Sequence, residues 1–470
     1  MSEAVYTSAH IVVSHYKFER ITELVIHKSM NDHGKLLLSG IISEDLKDKY
    51  IEQAEASDTI QVAVQDQDKP IPLFYGVITN ISVQATRGVR SITIEAHSLS
   101  VLMDIRKKTR SFQNKTLTYK SLFHRLIASY PDSDLIDEAS QGKTIGGLLV
   151  QYQETDWTFL RRLASHFHAS LVPVSSQPGV KLYVGVPEGD NPRKLDEYNY
   201  SMKKDLQDYK LKSENGVEDI SEQDSICYTV ASHKLLELGD AVTFQGRTWY
   251  VGRVETKLEN GVLSSLYDLK DAKGLRCRTE YPYVLAGTSL FGTILDVAKD
   301  KVKVKLHIDQ DQPVNEAMWF AYSTVYSSPD GSGWYCMPEV GDEVRLYFPD
   351  EQEKHAFAAS SVDTDSANPQ NRSDPAVKSI STKYGKEIVF KPGAVEIIGG
   401  GQLLMRLTDD GGIEINSDKK ISLSAMEDIE ITGGAKILIQ GESGIEFIQG
   451  NTSLKVEDEV TFTGGRVNIK

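Results

Sequence analysis

The feature that most limits what this chain can fold into is a repeat of eight residues near its C-terminal end. Written in eights from Gly412, the sequence runs GIEINSDK, KISLSAME, DIEITGGA, KILIQGES, GIEFIQGN. The second and fourth positions are Ile413 and Ile415, Ile421 and Leu423, Ile429 and Ile431, Ile437 and Ile439, Ile445 and Phe447. The residue between each pair is Glu414, Ser422, Glu430, Leu438 or Glu446. Side chains alternate across an extended strand, so each pair faces one way and its mostly polar middle residue the other. Glycine supplies 14 of the 90 residues from Ser381 onward, about twice its share of the whole chain, and clusters between the pairs where tight turns fall. Upstream the pattern is looser, at Ile388 and Phe390 and at Val395 and Ile397; downstream it slips to Leu454 and Val456, Val460 and Phe462, Val467 and Ile469.

Eight residues make one short strand and one turn, which is a single side of a prism and encloses nothing alone. Either one chain winds three units into each coil of a short solenoid, or three chains contribute one side each to a shared needle. Periodicity is compatible with both.

The rest of the chain reads as β-rich with a helical middle. Ser91 to Glu95 alternates polar and apolar, as a half-buried strand does. In TLTYKSLFHRLIASYP, Tyr119, Leu122, Phe123, Leu126 and Ile127 form one helical face, and Pro131 ends the segment. In ETDWTFLRRLASHFHA, Phe159, Leu160, Leu163, Ala164 and Phe167 form a second stripe, with Asp156 as the expected cap. Strand-like alternation resumes at Ala241 to Phe244 and around Trp249 and Val251. From about 275 to 360 the pattern is all-β: Val302, Val304, Leu306 and Ile308 alternate with Lys301, Lys303, Lys305 and His307. Val344, Leu346 and Phe348 alternate after the Gly341-Asp342 turn. A segment this short fits a closed five-stranded barrel. A stretch rich in Ser, Asp, Asn and Pro, from 361 to 382, reads as a linker.

At 470 residues the chain has room for about three domains. No run approaches the roughly 18 uninterrupted apolar residues of a membrane helix, and the start carries no basic and apolar signal pattern, so folding in the cytoplasm without Sec export is expected. Acidic residues exceed basic ones by 67 to 52, for a net charge of -15, which repels nucleic acid phosphates. Cys227, Cys277 and Cys336 match no zinc or redox spacing and are expected to be reduced.

Three signals in order carry a family resemblance. YQETDWTFLRRLA, from Tyr152 to Ala164, resembles the hub motif of the VgrG-type spike proteins of contractile injection systems, which are related to tailed-phage baseplate spikes and R-type bacteriocins. GWYCMPEVGDEVRLYF, from Gly333 to Phe348, resembles the signature of that family's OB-type barrel. The octads resemble its needle. The resemblance implies a mainly β, multidomain protein: a hub over 1–274 made of two barrel-like subdomains with helices around 118–130 and 156–168, an OB-fold over 275–360, a linker over 361–382, and a triple-stranded β-helix needle over 383–470. It also implies a homotrimer in which the ten octad residues pack around the axis and the hub adapts a sixfold tube to the threefold needle. The spike would be driven through a target membrane when a sheath contracts, the membrane being contacted only on firing. Implied partners are the tube protein ring, baseplate proteins, effector cargo and a conical PAAR-type tip protein seated on Val467, Ile469 and Lys470. No enzyme activity, cofactor or metal is implied. The family often has glycine after the hub helix, where this chain has Ala169 or Ser170.

Catalytic readings are weaker. His166 and His168 stand two apart, whereas metal-binding pairs on a helix sit four apart. Asp409-Asp410 and Glu457-Asp458-Glu459 suit solvated turns better than a hydrolase dyad. Gly399 to Gly401 lacks the Lys-Ser/Thr of a phosphate loop and reads as a turn. The competing function is a monomeric β-solenoid that hydrolyses polysaccharide or cell wall.

Overall fold

The computed structural model describes residues 5–44, 49–66, 69–189, 191–361, 368–463 and 465–466. The chain forms two compact units, Met1–Thr364 and Asp365–Lys470. Among the described residues the α-helices are α1 (Lys49–Glu52), α2 (Tyr119–Ile127), α3 (Asp156–Ser165) and α4 (Leu206–Ser213), and strands make up most of the regular structure.

The first unit is organised by one twelve-stranded sheet. Its first half runs in the order Ile11–Val13, Thr59–Asp66, Lys69–Thr86, Val89–Ser98, Lys35–Ile42, Arg20–Ser29, and surrounds a core containing Leu24, Leu38, Ile60, Phe74, Ile92 and Ile94. The second half continues through Arg247–Glu259, Val262–Lys270, Ile226–Ser232 and Tyr200–Lys204, around a separate core with Val242, Phe244, Trp249 and Tyr267. One antiparallel seam, Arg253↔Ser29 to Lys257↔Val25, joins the halves. Ile92 and Ile94 are the buried positions of the alternating segment read from the sequence.

The helices lie over a third core. The buried residues of α2 are Tyr119, Leu122, Phe123, Leu126 and Ile127, the face set by their spacing, and Thr118 caps it by accepting from the Ser121 amide. The same core takes Trp157, Phe159, Leu160, Leu163 and Ala164 from α3, with Leu171 and Leu182 from a small sheet beneath.

A five-stranded sheet follows, in the order Trp319–Ala321, Lys301–Leu306, Ser289–Ala298, Glu343–Tyr347, Phe357–Ala359. A parallel bridge, Tyr322↔Ala358, joins its two ends and closes it into a barrel. Val302, Val304, Leu306, Val344, Leu346 and Phe348 are its fully buried centre. Gly292 is required there, because a Cβ would lie 2.4 Å from Val304 Cγ1 and 2.7 Å from the Lys305 carbonyl.

The second unit is an antiparallel meander, Lys378–Ser381, Lys386–Lys391, Ala394–Gly399, Gln402–Thr408 and Gly412–Ile415, followed after a long interval by Ile445–Gln449, Thr452–Val456 and Val460–Thr463. Gly400 and Gly401, at φ 62° and 83°, form the two-residue loop between paired Gly399 and Gln402, a mirror-image turn that L side chains resist. The glycine triplet is therefore a hairpin loop.

Leu346→Ala should destabilise the barrel by about 2–5 kcal/mol, since a fully buried leucine leaves a cavity. Lys301→Ala, at an exposed position, should change stability by less than about 0.5 kcal/mol in the same denaturant titration.

Candidate functional site

The segment from Tyr152 to Ala164 is where hub and barrel meet, and nearly every side chain in it has a structural task. The strand Leu149–Thr155 feeds directly into α3. Just ahead of the motif, Leu148 and Val150 belong to the barrel core, while Leu149 belongs to the helical core; Tyr152 packs on the barrel side. One strand thus serves two cores, which a period of two permits because successive residues face opposite ways.

Arg162 is the centre of the junction. Its side chain leaves α3 and is 1 % exposed. The guanidinium donates to Glu154 (3.0 and 2.8 Å), to the Val150 carbonyl (2.7 Å) and to Glu353 of the barrel (2.9 Å). Burial opposes its charge, but the two carboxylates outweigh that and hold its pKa above the usual arginine value. A buried cation with carboxylates on two sides is a clasp: each partner is costly to leave unpaired. Further polar ties run beside it. Ser111 donates through its amide and hydroxyl to Asp309, and Gln113 donates to the Val304 carbonyl while accepting from the Met318 amide.

Asp156 differs from its expected role. The α3 cap is Thr155, whose hydroxyl accepts from the Thr158 amide at 3.1 Å and donates to Asp104 at 2.5 Å. Asp156 is instead the first helical residue, fully buried, and binds Lys108 (2.5 Å), Arg110 (2.7 Å), Tyr130 (2.7 Å) and Gln151 (3.0 Å). Burial alone would raise its pKa; the hydrogen bonds from Lys108, Tyr130 and Gln151 and the Arg110 charge more than offset it, so the carboxyl lies below its ordinary value. α3 is also shorter than expected, ending at Ser165. The left-handed residue beyond it is His168, φ 55°, and the Ala169 amide returns to the Ala164 carbonyl. Because the turn is made one residue earlier, glycine is not needed at Ala169 or Ser170.

His166 and His168 turn to different partners: His166 Nδ1 shares a 2.9 Å hydrogen bond with the Tyr119 hydroxyl, and His168 Nδ1 donates to the Cys277 carbonyl at 3.0 Å. Burial, then the nearby Arg162 charge, push the His166 pKa down to about 4. The three cysteines are free thiols.

The octad residues lie in the other unit. Ile413 and Ile415 are on the last strand of the meander, and Ile445 and Phe447 open the final three-stranded sheet. Ile421, Leu423, Ile429, Ile431, Ile437 and Ile439 fall between, where the described chain forms no strand. Ile445 is half-buried; the other nine are exposed, from 50 % for Ile437 to 74 % for Leu423. Val467, Ile469 and Lys470 lie outside the described residues. Sequence reading missed Glu353, Asp309, Lys108 and Arg110, which carry no local pattern and act on residues far along the chain.

Arg162→Met should destabilise the first unit by about 3–5 kcal/mol, because Glu353 is left buried and the half-buried Glu154 loses the same partner. Adding Glu353→Gln should recover part of that loss; a double variant no better than the single would refute the pairing. For His166, the unfolded value of 6.5 exceeds the folded value of about 4, so the unfolded state binds more protons between them. Stability is then full above pH 6.5 and falls as pH drops toward 4. His166→Gln should shallow that slope in melting temperature. The Asp156 contribution is separable, being lost only below its ordinary value of 3.8 as pH falls through the folded one.

The type VI secretion system/phage-baseplate injector OB domain family matches residues 291–362, which is most of the closed barrel. No curated protein matches the chain in sequence. Among solved structures, the E. coli c3393 protein, a type VI secretion component described as similar to the T4 tail proteins gp27 and gp5, superposes with a TM-score of 0.53. It is 12 % identical, and the match covers 75 % of this chain and 99 % of that one. A chain of the Francisella PdpA–VgrG complex in its half-lidded form gives a TM-score of 0.53 at 10 % identity, covering 84 % of this chain and 83 % of that one. The lidded form of that complex gives 0.51, with 84 % and 76 % covered. The chain thus carries a type VI secretion system/phage-baseplate injector OB domain over residues 291–362, and its fold is similar to those of the type VI secretion component and the VgrG-complex chain.

Proposed function

We propose that three copies of this chain assemble into the spike of a contractile injection machine, with the octad pairs packed around a common axis as a triple-stranded β-helix. The observation that carries this reading is the exposure of nine regularly spaced large apolar side chains, from Ile413 to Phe447, on a segment that largely lacks ladder partners within its own chain. Both deficits are met at once if each chain supplies one face of a shared prism, since unpaired backbone and exposed isoleucine are satisfied by the same neighbours. Burying each such side chain is worth roughly 1.5–3 kcal/mol, so the nine exposed positions in three chains supply a large driving force for association. A prism closed in this way has no free sheet edge along its length, which suits it to bear load.

In this reading the hub adapts a sixfold tube protein ring to the threefold needle, contacts baseplate proteins, and is carried into the target envelope when the sheath contracts. The chain acts mechanically rather than as an enzyme, is assembled in the cytoplasm, and is delivered outward on firing. A PAAR-type protein caps the end at Val467, Ile469 and Lys470; the family resemblance alone supports that element.

Light scattering on the purified chain should give about three times 52.3 kDa, and a stable folded monomer would sink the reading. Ile429→Asp should dissociate or destabilise the assembly by placing three carboxylates at one level of the axis, whereas Glu430→Lys should be tolerated. Equal effects would show that the faces are wrongly assigned.

A further inference from the structure

The hub carries a cationic cleft that the spike reading does not use. It has a volume of about 460 Å³ and is lined by six cationic and three anionic side chains, on a chain whose net charge is -15. The carboxylates are already engaged: Asp208 with Lys212 at 2.7 Å, Glu280 with Arg161 at 3.3 Å, and Asp268 with Thr229 at 2.7 Å and Arg253 at 3.8 Å. Arg276 donates to the Glu218 carbonyl. That leaves Lys203, Lys270 and Arg278, which have no ion pair among the described residues.

Two of these are fixed by strand register. Lys203 is opposite Cys227, and Cys227 is opposite Lys270, so the two lysines stand on one face, two strands apart. At one strand spacing each, that is about 10 Å. Lys203 also belongs to the last strand of the sheet. Tyr200–Lys204 pairs with Ile226–Ser232 along one edge, has no strand on the other among the described residues, and is exposed at all five positions. Tyr198, just before it, is 95 % exposed, and Met202 within it is 59 % exposed.

We infer that this edge and the adjoining cleft bind an acidic polypeptide segment of another protein in extended form. Its backbone adds a strand to Tyr200–Lys204, its carboxylates meet Lys203, Lys270 and Arg278, and Met202 and Tyr198 supply apolar contact on the opposite face. The carboxylates interspersed in the cleft favour this ligand over a dense polyphosphate, because a peptide spaces its charges and brings amide donors. The overall negative charge of the chain works against a long nucleic acid at the same place. This inference does not depend on the trimeric spike.

The test uses the full chain and a fluorescent synthetic peptide of alternating Glu and Thr, with a Lys and Thr peptide as control. Saturable binding of the acidic peptide alone is expected, weakening with salt. Lys203→Gln combined with Lys270→Gln should weaken it roughly tenfold while circular dichroism is unchanged. Methylating one set of alternate peptide amides should abolish binding, and methylating the other set should not, since a strand offers only one set to its neighbour. Absence of saturable binding, an unchanged affinity in the double variant, or equal tolerance of both methylated peptides overturns the inference. So does displacement by pyrophosphate at concentrations comparable to the peptide, which would assign the cleft to a small phosphate anion. If the double variant instead changes the mass of the assembly in light scattering, the cleft is a contact between copies and the inference fails.

Discussion

The first unit depends on a buried cation. Arg162 sits at the point where the hub helix, the strand leading into it and the barrel converge, and its guanidinium holds all three. Such an arrangement adds little net stability compared with an apolar packing of the same shape, but it makes separation of the parts expensive, because every way of pulling them apart strands a charge in a dry interior. Around it, Leu148, Leu149 and Val150 tie two hydrophobic cores through one strand. Close-packed interiors transmit displacement rather than absorb it, so the shared strand couples hub and barrel mechanically.

The second unit has the opposite character. Its pattern is more regular than anything in the hub, yet within one chain it buries almost none of its isoleucines. The hub satisfies its apolar residues inside its own sheet, whereas the octads present theirs outward on segments too short to enclose a core. A narrow prism has a perimeter of only a few strands, and a chain that turns every eight residues supplies one side at a time. In the assembly proposed above, the first unit folds by itself and the second is completed by association.

The helical faces, the alternation of Val302, Val304 and Leu306, the turn at Gly341 and the glycine loop before Gln402 were legible in the sequence, because each is a local pattern in which neighbouring residues report the same geometry; of the octad pairs, only the first and last lie on strands. The hub motif was legible as a string. Its meaning was not: Asp156, adjacent to Thr155, is an equally good cap by residue type, and only the approach of Lys108, Arg110, Tyr130 and Gln151 decides that its carboxylate points into the interior. The end of α3, expected near 168 and found at Ser165, was not legible for a similar reason, since His168 accepts a left-handed conformation once its ring is held by the Cys277 carbonyl.

What the sequence determined by itself was which residues face inward on the helices and on the barrel strands, where several of the turns fall, and that one region repeats. What only the tertiary structure decided was pairing at a distance. Glu353 comes to Arg162 across 191 positions, Asp309 to Ser111 across 198, and Lys203 to Lys270 through an intervening strand. No local signal encodes such partners, because a carboxylate on a turn looks the same whether it ends in solvent or against a buried guanidinium. The folding of two sheets and a helical layer around a shared strand is what brings those charges together.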